Sequence, residues 1–227
     1  MTAPPVVLLH GWSGSTATTW EPLGWPERLR AMGRQVIAID LLGHGTAAAP
    51  TDTAAYAALV EEADAQIGDR EPVDAIAFSL GAKVLLELVA RRPERFRRIV
   101  LAGVGENALR DEKVPAVVAA AMREGISATT PPAVLPYVVT ALASGNDRHA
   151  LAACIERPWT PIDPDRLAPF DGRALVAVGE LDTFVGEHEP LVRAFRDAHY
   201  LPLPGVDHLG TPYSATLLPR ALEFLGA

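Results

Sequence analysis

The hydrophobic positions of this chain fall into two alternating kinds of segment. Short apolar runs, Val6 to Leu9, Gln35 to Asp40, Val73 to Phe78, Arg98 to Ala102, Ala174 to Val178 and His199 to Leu203, carry their apolar side chains on successive positions, the pattern of buried strands. Between them apolar residues recur at helical spacing. Leu29 and Met32 share a face in Trp25 to Met32, which Gly33 ends. Leu59, Val60, Ala63 and Ile67 point inward in Ala54 to Ile67, with the Glu61, Glu62 and Asp64 cluster as its solvated face. Val84, Leu85, Leu88 and Val89 repeat in the helix from Leu80 that Pro93 stops, with Lys83 and Glu87 between them. Pro190 to Ala198 and Thr211 to Leu225 complete the set, the last with Leu217, Leu218, Leu222 and Leu225 inward. Strands alternating with helices predict right-handed βαβ units and a mostly parallel sheet, an α/β fold of about six strands flanked by helices.

The alternation lapses between Val104 and Gly172. Helical patterns at Val114 to Arg123, Ala133 to Ala143 and Arg148 to Glu156, joined by Pro- and Gly-rich stretches, offer Tyr137, Leu142, Leu151 and Ile155 as apolar faces. The pattern predicts a core of residues 1–103 and 173–227 and a small helical insertion, 104–172, lying over the strand ends as a cap or lid. Its apolar residues, Tyr137 among them, with Trp159 then shape a substrate pocket. The plainer alternative is that these helices pack on the core and cover nothing.

Composition narrows the partners. A chain of 227 residues, 49% apolar, makes about one domain. The formal charge of −8 argues against nucleic acid or an anionic membrane as partner. No stretch is long and uncharged enough to span a bilayer, and the N-terminus lacks the basic region of a secretory leader. A single cysteine, Cys154, permits no intrachain disulfide; this points to the cytoplasm, and its apolar surroundings make it a buried small residue. No cluster has metal-ligand spacing and no dinucleotide or phosphate-binding fingerprint occurs, so no metal and no cofactor is expected. Oligomeric state is not legible.

In parallel sheets chemistry gathers at the carboxyl ends of the strands. His10, Asp40, Ser79 and Gly103 all follow strand ends. The junction Ala77-Phe78-Ser79-Leu80-Gly81 turns a strand directly into a helix, which forces Ser79 into a strained conformation and requires small residues two places either side. Its hydroxyl then stands beside the free N–H groups of a helix N-terminus. An ordinary βα turn with Ser79 as helix cap is the alternative. A serine hydroxyl needs a base in contact, and the base a carboxylate that fixes its tautomer. Asp182 in Gly179-Glu180-Leu181-Asp182 and His208 in Val206-Asp207-His208 each follow a strand, in the order serine, acid, histidine.

These pieces, with His10-Gly11-Trp12 and Asp40-Leu41-Leu42-Gly43-His44-Gly45, resemble the α/β-hydrolase fold, in its small branch with a helical cap. The resemblance spans nearly the whole chain. It implies Ser79 as nucleophile, His208 as base and later acid, Asp182 as its orienting partner, and an oxyanion hole from the backbone N–H groups of Leu80 and Trp12, with the Trp12 side chain also facing substrate. It implies a serine hydrolase of the carboxylesterase kind acting on a small-molecule substrate, a fairly apolar ester, thioester or lactone. Carbon–carbon bond hydrolysis, cofactor-free peroxidation and acyl transfer use the same triad, and a non-catalytic ligand-binding homologue uses the same fold. The sequence departs from the family in having Ala77 for the first glycine of the turn and in starting at what would be the third strand. Glu106 is the reserve acid, since some members place the carboxylate there. His10 is expected to hold its turn by hydrogen bonding, Asp40, His44 and Gly45 to shape a neighbouring loop, and Asp207 to point away from the base. His149, His188 and His199 are expected at the surface.

Overall fold

The computed structural model describes residues 3–111 and 114–226. In chain order its strands and α-helices are β1 (Val6–Leu9), α1 (Thr16–Thr19), α2 (Trp25–Ala31), β2 (Val36–Ile39), α3 (Leu59–Ile67), β3 (Val73–Phe78), α4 (Leu80–Arg91), β4 (Phe96–Ala102), α5 (Val114–Glu124), α6 (Leu135–Ala143), α7 (Arg148–Glu156), β5 (Arg173–Gly179), α8 (Glu189–Arg193), β6 (Ala198–Leu203) and α9 (Leu217–Gly226). The six strands form one sheet in the order β2-β1-β3-β4-β5-β6. Every neighbouring pair is parallel. The strand order reverses between β1 and β3. A crevice therefore opens outside the carboxyl ends of those two strands, where Leu9 pairs with Ala77.

The continuous apolar runs follow from burial on both faces. Val7, Leu9, Ala75, Ala77, Leu101 and Val176 pack with Leu59, Val60 and Ala63 of α3 and Val84, Leu85 and Leu88 of α4. Their alternate neighbours Val6, Leu8, Ile76, Phe78, Val100 and Ala177 face Trp20, Trp25 and Leu29 and Leu217, Leu218 and Leu225 of α9. The segment between β4 and β5 builds a third cluster of its own, with Val118 and Met122 of α5, Val138 and Ala141 of α6 and Leu151 of α7. At the opposite, amino end of the sheet Asp74 is fully buried and accepts from Arg34 and from both Nε (3.0 Å) and Nη2 (2.7 Å) of Arg97.

Several helix boundaries and faces differ from the periodicity. The helix expected from Ala54 opens as a 3₁₀ turn, Thr53–Ala58, which buries Tyr56 and lets its hydroxyl donate to the Pro50 carbonyl at 2.8 Å. The helix expected over Pro190 to Ala198 stops at Arg193, because Phe195 turns into the core and Ala198 must pair with Ala174 in the sheet. The closing helix begins at Leu217, not Thr211. Pro219 would clash with the carbonyl four residues back in a longer helix, but is tolerated in a first turn. Met32, placed on one face with Leu29, and Leu142, placed on an apolar face, are 39% and 42% exposed. Lys83, a polar position between the apolar ones, is only 9% exposed. Among the described residues no helix is long and apolar enough to cross a membrane.

Candidate active site

The strand-to-helix junction is as tight as its sequence requires. Ser79 has φ 51° and ψ −111°, a conformation that strains any residue with a Cβ by about 1–3 kcal/mol. It is held there by its N–H donating to Ala102 O (2.9 Å), by Lys83 N–H donating to its own carbonyl (3.1 Å), and by Gly81 N–H donating to His10 O (3.1 Å). A Cβ on Gly81 would stand 2.4 Å from Leu9 O, so the second small residue is fixed by the end of β1. The Ser79 side chain makes no capping bond to the helix, which sets aside the alternative of a plain cap.

The hydroxyl is engaged elsewhere. Ser79 Oγ lies 2.9 Å from His208 Nε2, and His208 Nδ1 lies 2.7 Å from Asp182 Oδ2. The other carboxylate oxygen of Asp182 accepts from Phe184 N–H at 3.0 Å. Asp182 is 8% and His208 5% exposed. Three residues separated by 129 and 26 positions thus form one hydrogen-bonded chain, buried at Asp182 and His208 and partly open at Ser79.

The turn after β1 runs against this chain. A Cβ on Gly11 would meet the Phe78 ring at 2.7 Å and Ser79 Cβ at 3.3 Å, and one on Gly103 would meet Phe78 at 2.7 Å. Phe78 therefore fills the space beneath the serine and excludes side chains on both flanking turns. Leu80 opens α4, where N–H groups lack intrahelical partners. Among the described residues no acceptor meets the N–H of Leu80 or of Trp12. His10 is fully buried; its Nε2 accepts from Leu41 N–H (3.0 Å), so Nδ1 carries the hydrogen and donates to Gly11 O (2.8 Å). Burial holds His10 below the ordinary imidazole value, although the Gly11 carbonyl and Asp40 pull the other way. Asp40 accepts from Thr16 N–H (2.7 Å) and from Thr46 N–H and Oγ1 (2.8 and 2.9 Å), shaping the next loop. His44 is buried against the His10 ring, donates from Nδ1 to Leu42 O (3.0 Å), and is pushed down to about 3 by burial and then by His10.

The remaining candidates stand apart. Glu106 pairs with Arg110 at 3.0 Å and does not reach His208. Asp207 accepts from Gly210 N–H at 2.7 Å and so caps its own turn. His149 and His199 are exposed, and His188 is half-buried, stacked on Tyr200. Cys154 is buried, which pushes its thiol up to about 11. Among the described residues no group of His, Cys, Asp and Glu could hold a metal ion.

A cavity of about 480 Å³ opens above Ser79 and His208. Trp12, Tyr137 and Trp159 line it, as the sequence suggested, together with Phe78 and Phe184, which it did not. The Phe78, Tyr137 and Phe184 rings surround the His208 imidazole with centroids at 5.2, 5.9 and 5.2 Å. Burial raises Tyr137 to about 12, so its hydroxyl stays protonated. Lys83 lies in the same wall, its Nζ 5.8 Å from the Trp159 ring centre. Phe78 was findable as the large residue just before the serine; Phe184 and Lys83 carry no local signal.

Comparisons with known proteins bear on the family and the fold. A sequence profile for the alpha/beta hydrolase fold matches residues 4–185, and the chain belongs to that family. It is similar to the 2-hydroxymuconate semialdehyde hydrolase of Pseudomonas sp. strain CF600, 39% identical over 106 residues, covering 44% of this chain and 36% of that one. It is similar to the pimeloyl-[acyl-carrier protein] methyl ester esterase of Neisseria meningitidis serogroup A, 35% identical over 122 residues, covering 51% of this chain and 35% of that one. The match thus spans about a third of the length of these curated relatives. Among solved structures, the enol-lactonase of Burkholderia xenovorans LB400 superposes with a TM-score of 0.74 at 21% identity, covering 100% of this chain and 93% of that one, a likeness of fold.

Proposed function

From membership of that family as premise, we propose that the protein is a serine hydrolase that cleaves a small, fairly apolar ester, thioester or lactone through an acyl-enzyme on Ser79. The observation that carries the reading is the unbroken chain from Asp182 through His208 to the Ser79 hydroxyl, at 2.7 and 2.9 Å. His208 Nδ1–H donates to Asp182, which leaves the lone pair of Nε2 for the serine proton. Ser79 Oγ attacks the carbonyl carbon as His208 takes that proton. The oxyanion is met by the N–H groups of Leu80 and Trp12, each contributing about 3 kcal/mol to the transition state. His208 then protonates the leaving group, and later draws a proton from the water that releases the acid.

The aromatic side chains of Trp12, Phe78, Tyr137, Trp159 and Phe184 in the cavity wall support an apolar acyl or alcohol part. Residues 104–172 act as the cap over this cavity, a role supported by the presence of Asn107, Tyr137, Ile155 and Trp159 in its lining. The buried single cysteine is compatible with a reducing compartment, and we place the enzyme in the cytoplasm. The test is a panel of p-nitrophenyl esters and thioesters of graded chain length, with Ser79→Ala as control. Short and medium acyl chains should be hydrolysed, and the variant should lose all but a trace of the activity. Ester hydrolysis undiminished in Ser79→Ala would falsify the assignment.

A further inference from the structure

One side chain outside the triad joins the turn after β1 to the segment between β4 and β5. Asn146 stands half-buried in the joint between α6 and α7. Its Oδ1 accepts from Gly45 N–H at 2.7 Å. Its Nδ2 donates to Ser13 O at 2.9 Å and, at longer range, to Gly14 O at 3.4 Å. Ser144 Oγ steadies the same amide: it lies 3.2 Å from Nδ2 and 3.2 Å from Asn146 N–H, while donating to Ala141 O at 2.7 Å. The two ends of one amide thus fasten two different core loops.

What Asn146 fastens is a carbonyl of the same turn, two peptide units beyond a proposed oxyanion donor. Ser13 follows Trp12 directly and has φ 66°, a left-handed conformation that a residue with a Cβ keeps only when its surroundings impose it. The Trp12 indole N–H donates to Leu151 O on α7 at 3.0 Å. The turn that carries Trp12 is therefore tied to the α6–α7 region at two points, through the Trp12 indole by Leu151 and through the Ser13 carbonyl by Asn146, while the Gly11 carbonyl of the Trp12 N–H peptide accepts from His10 Nδ1 (2.8 Å) and Gly14 N–H (3.1 Å). Nothing in the Ser79–His208–Asp182 chain itself fixes that peptide.

We propose that Asn146 is a positioning residue: through the Ser13 carbonyl it holds the Trp12 N–H where the oxyanion forms, so the α6–α7 joint sets the geometry of the catalytic turn. The inference rests on the reading of Ser79 and Trp12 given above. An amide is needed because one end must accept and the other donate. Aspartate, of the same size, keeps the Gly45 contact but turns an oxygen toward two carbonyls.

Asn146→Asp and Asn146→Ala are compared with the unaltered enzyme on p-nitrophenyl butyrate and on phenylboronic acid, whose tetrahedral adduct with Ser79 presents an oxygen to the same N–H groups. The expected result is a kcat about tenfold to a hundredfold lower with KM within about threefold, short of the 10²–10³ typical of deleting such a donor. Boronate affinity should fall by the same factor. Because Asn146→Asp preserves size and one bond, it carries the test if Asn146→Ala folds poorly. A kcat within twofold of the unaltered enzyme, or a lowered kcat with boronate affinity unchanged, overturns the proposal. If Ser79→Ala is inactive while both Asn146 variants are fully active, only the role of Asn146 falls. If Ser79→Ala remains active, the underlying reading of the site falls and takes this one with it.

Discussion

His10 and His208 occupy corresponding places in two regions of the sheet. Each follows the carboxyl end of a strand, each is buried, and each has an aspartate near its ring, Asp40 at 3.9 Å and Asp182 at 2.7 Å. They differ in what their nitrogens meet. Both nitrogens of His10 are spent on backbone, the Gly11 carbonyl and the Leu41 N–H, so the ring is a brace between the loops after β1 and β2. His208 gives one nitrogen to a carboxylate and the other to a hydroxyl on a strained turn. On the proposed reading, residue type, burial and a neighbouring acid do not make a base; the partner on the second nitrogen does.

That contrast can be broken most severely at the His208 side. His208→Gln or Ser79→Ala should lower kcat by about a millionfold, as in triads that act as a unit, with the thermal midpoint within a few degrees of the unaltered protein. Asp182→Asn should cost about 10⁴ in kcat, because an amide no longer fixes the imidazole tautomer. Gly11→Ala tests the crowding between the two regions. Its methyl would press on Phe78, so stability should fall by about 1–3 kcal/mol, with kcat reduced as the turn shifts away from Ser79. His10→Gln should cost about 1–3 kcal/mol through the buried bonds it loses and lower kcat far less than His208→Gln; urea unfolding read beside steady-state kinetics separates the two.

The smallest effect concerns pH. Burial depresses both His10 and His44 relative to an unfolded imidazole near 6.5, His44 to about 3. Between those values the unfolded chain binds a proton that the folded one refuses. Stability from both groups is therefore fully present above about pH 6.5 and declines as pH falls below it, for His44 down to about 3, by at most about 1.4 kcal/mol per pH unit per group. His44→Gln should remove about one proton from the slope of stability against pH between 6 and 4. An unchanged slope would show that His44 does not carry that linkage.

Much of this arrangement was visible along the chain because its causes are local. Continuous Val, Ile and Leu runs betray strands covered on both faces. The Ala77-to-Gly81 turn declares itself because only small residues fit beside Leu9 O. Ser79, Asp182 and His208, the residues proposed for catalysis, stand out by their order, one, three and five residues beyond the ends of β3, β5 and β6. The rest depends on contacts between distant segments. The end of the helix at Arg193 is dictated by pairing of Ala198 with Ala174 across the sheet. Lys83 reads as a polar position between the apolar ones of its own helix, yet it is buried, with its Nζ 5.8 Å from the Trp159 ring centre. Phe184 and Asn146 sit in loops whose partners, the His208 ring and the Ser13 carbonyl, come from elsewhere in the chain.

The central claim is that Ser79, His208 and Asp182 work as one device while His10 only braces. The most direct measurement is the rate and site of labelling by a fluorophosphonate, read by intact mass and peptide mapping, in the unaltered protein, His208→Gln and His10→Gln. The account predicts one label on Ser79, lost or slowed by orders of magnitude in His208→Gln and largely retained in His10→Gln. Labelling at another residue, or at an undiminished rate without His208, would contradict it.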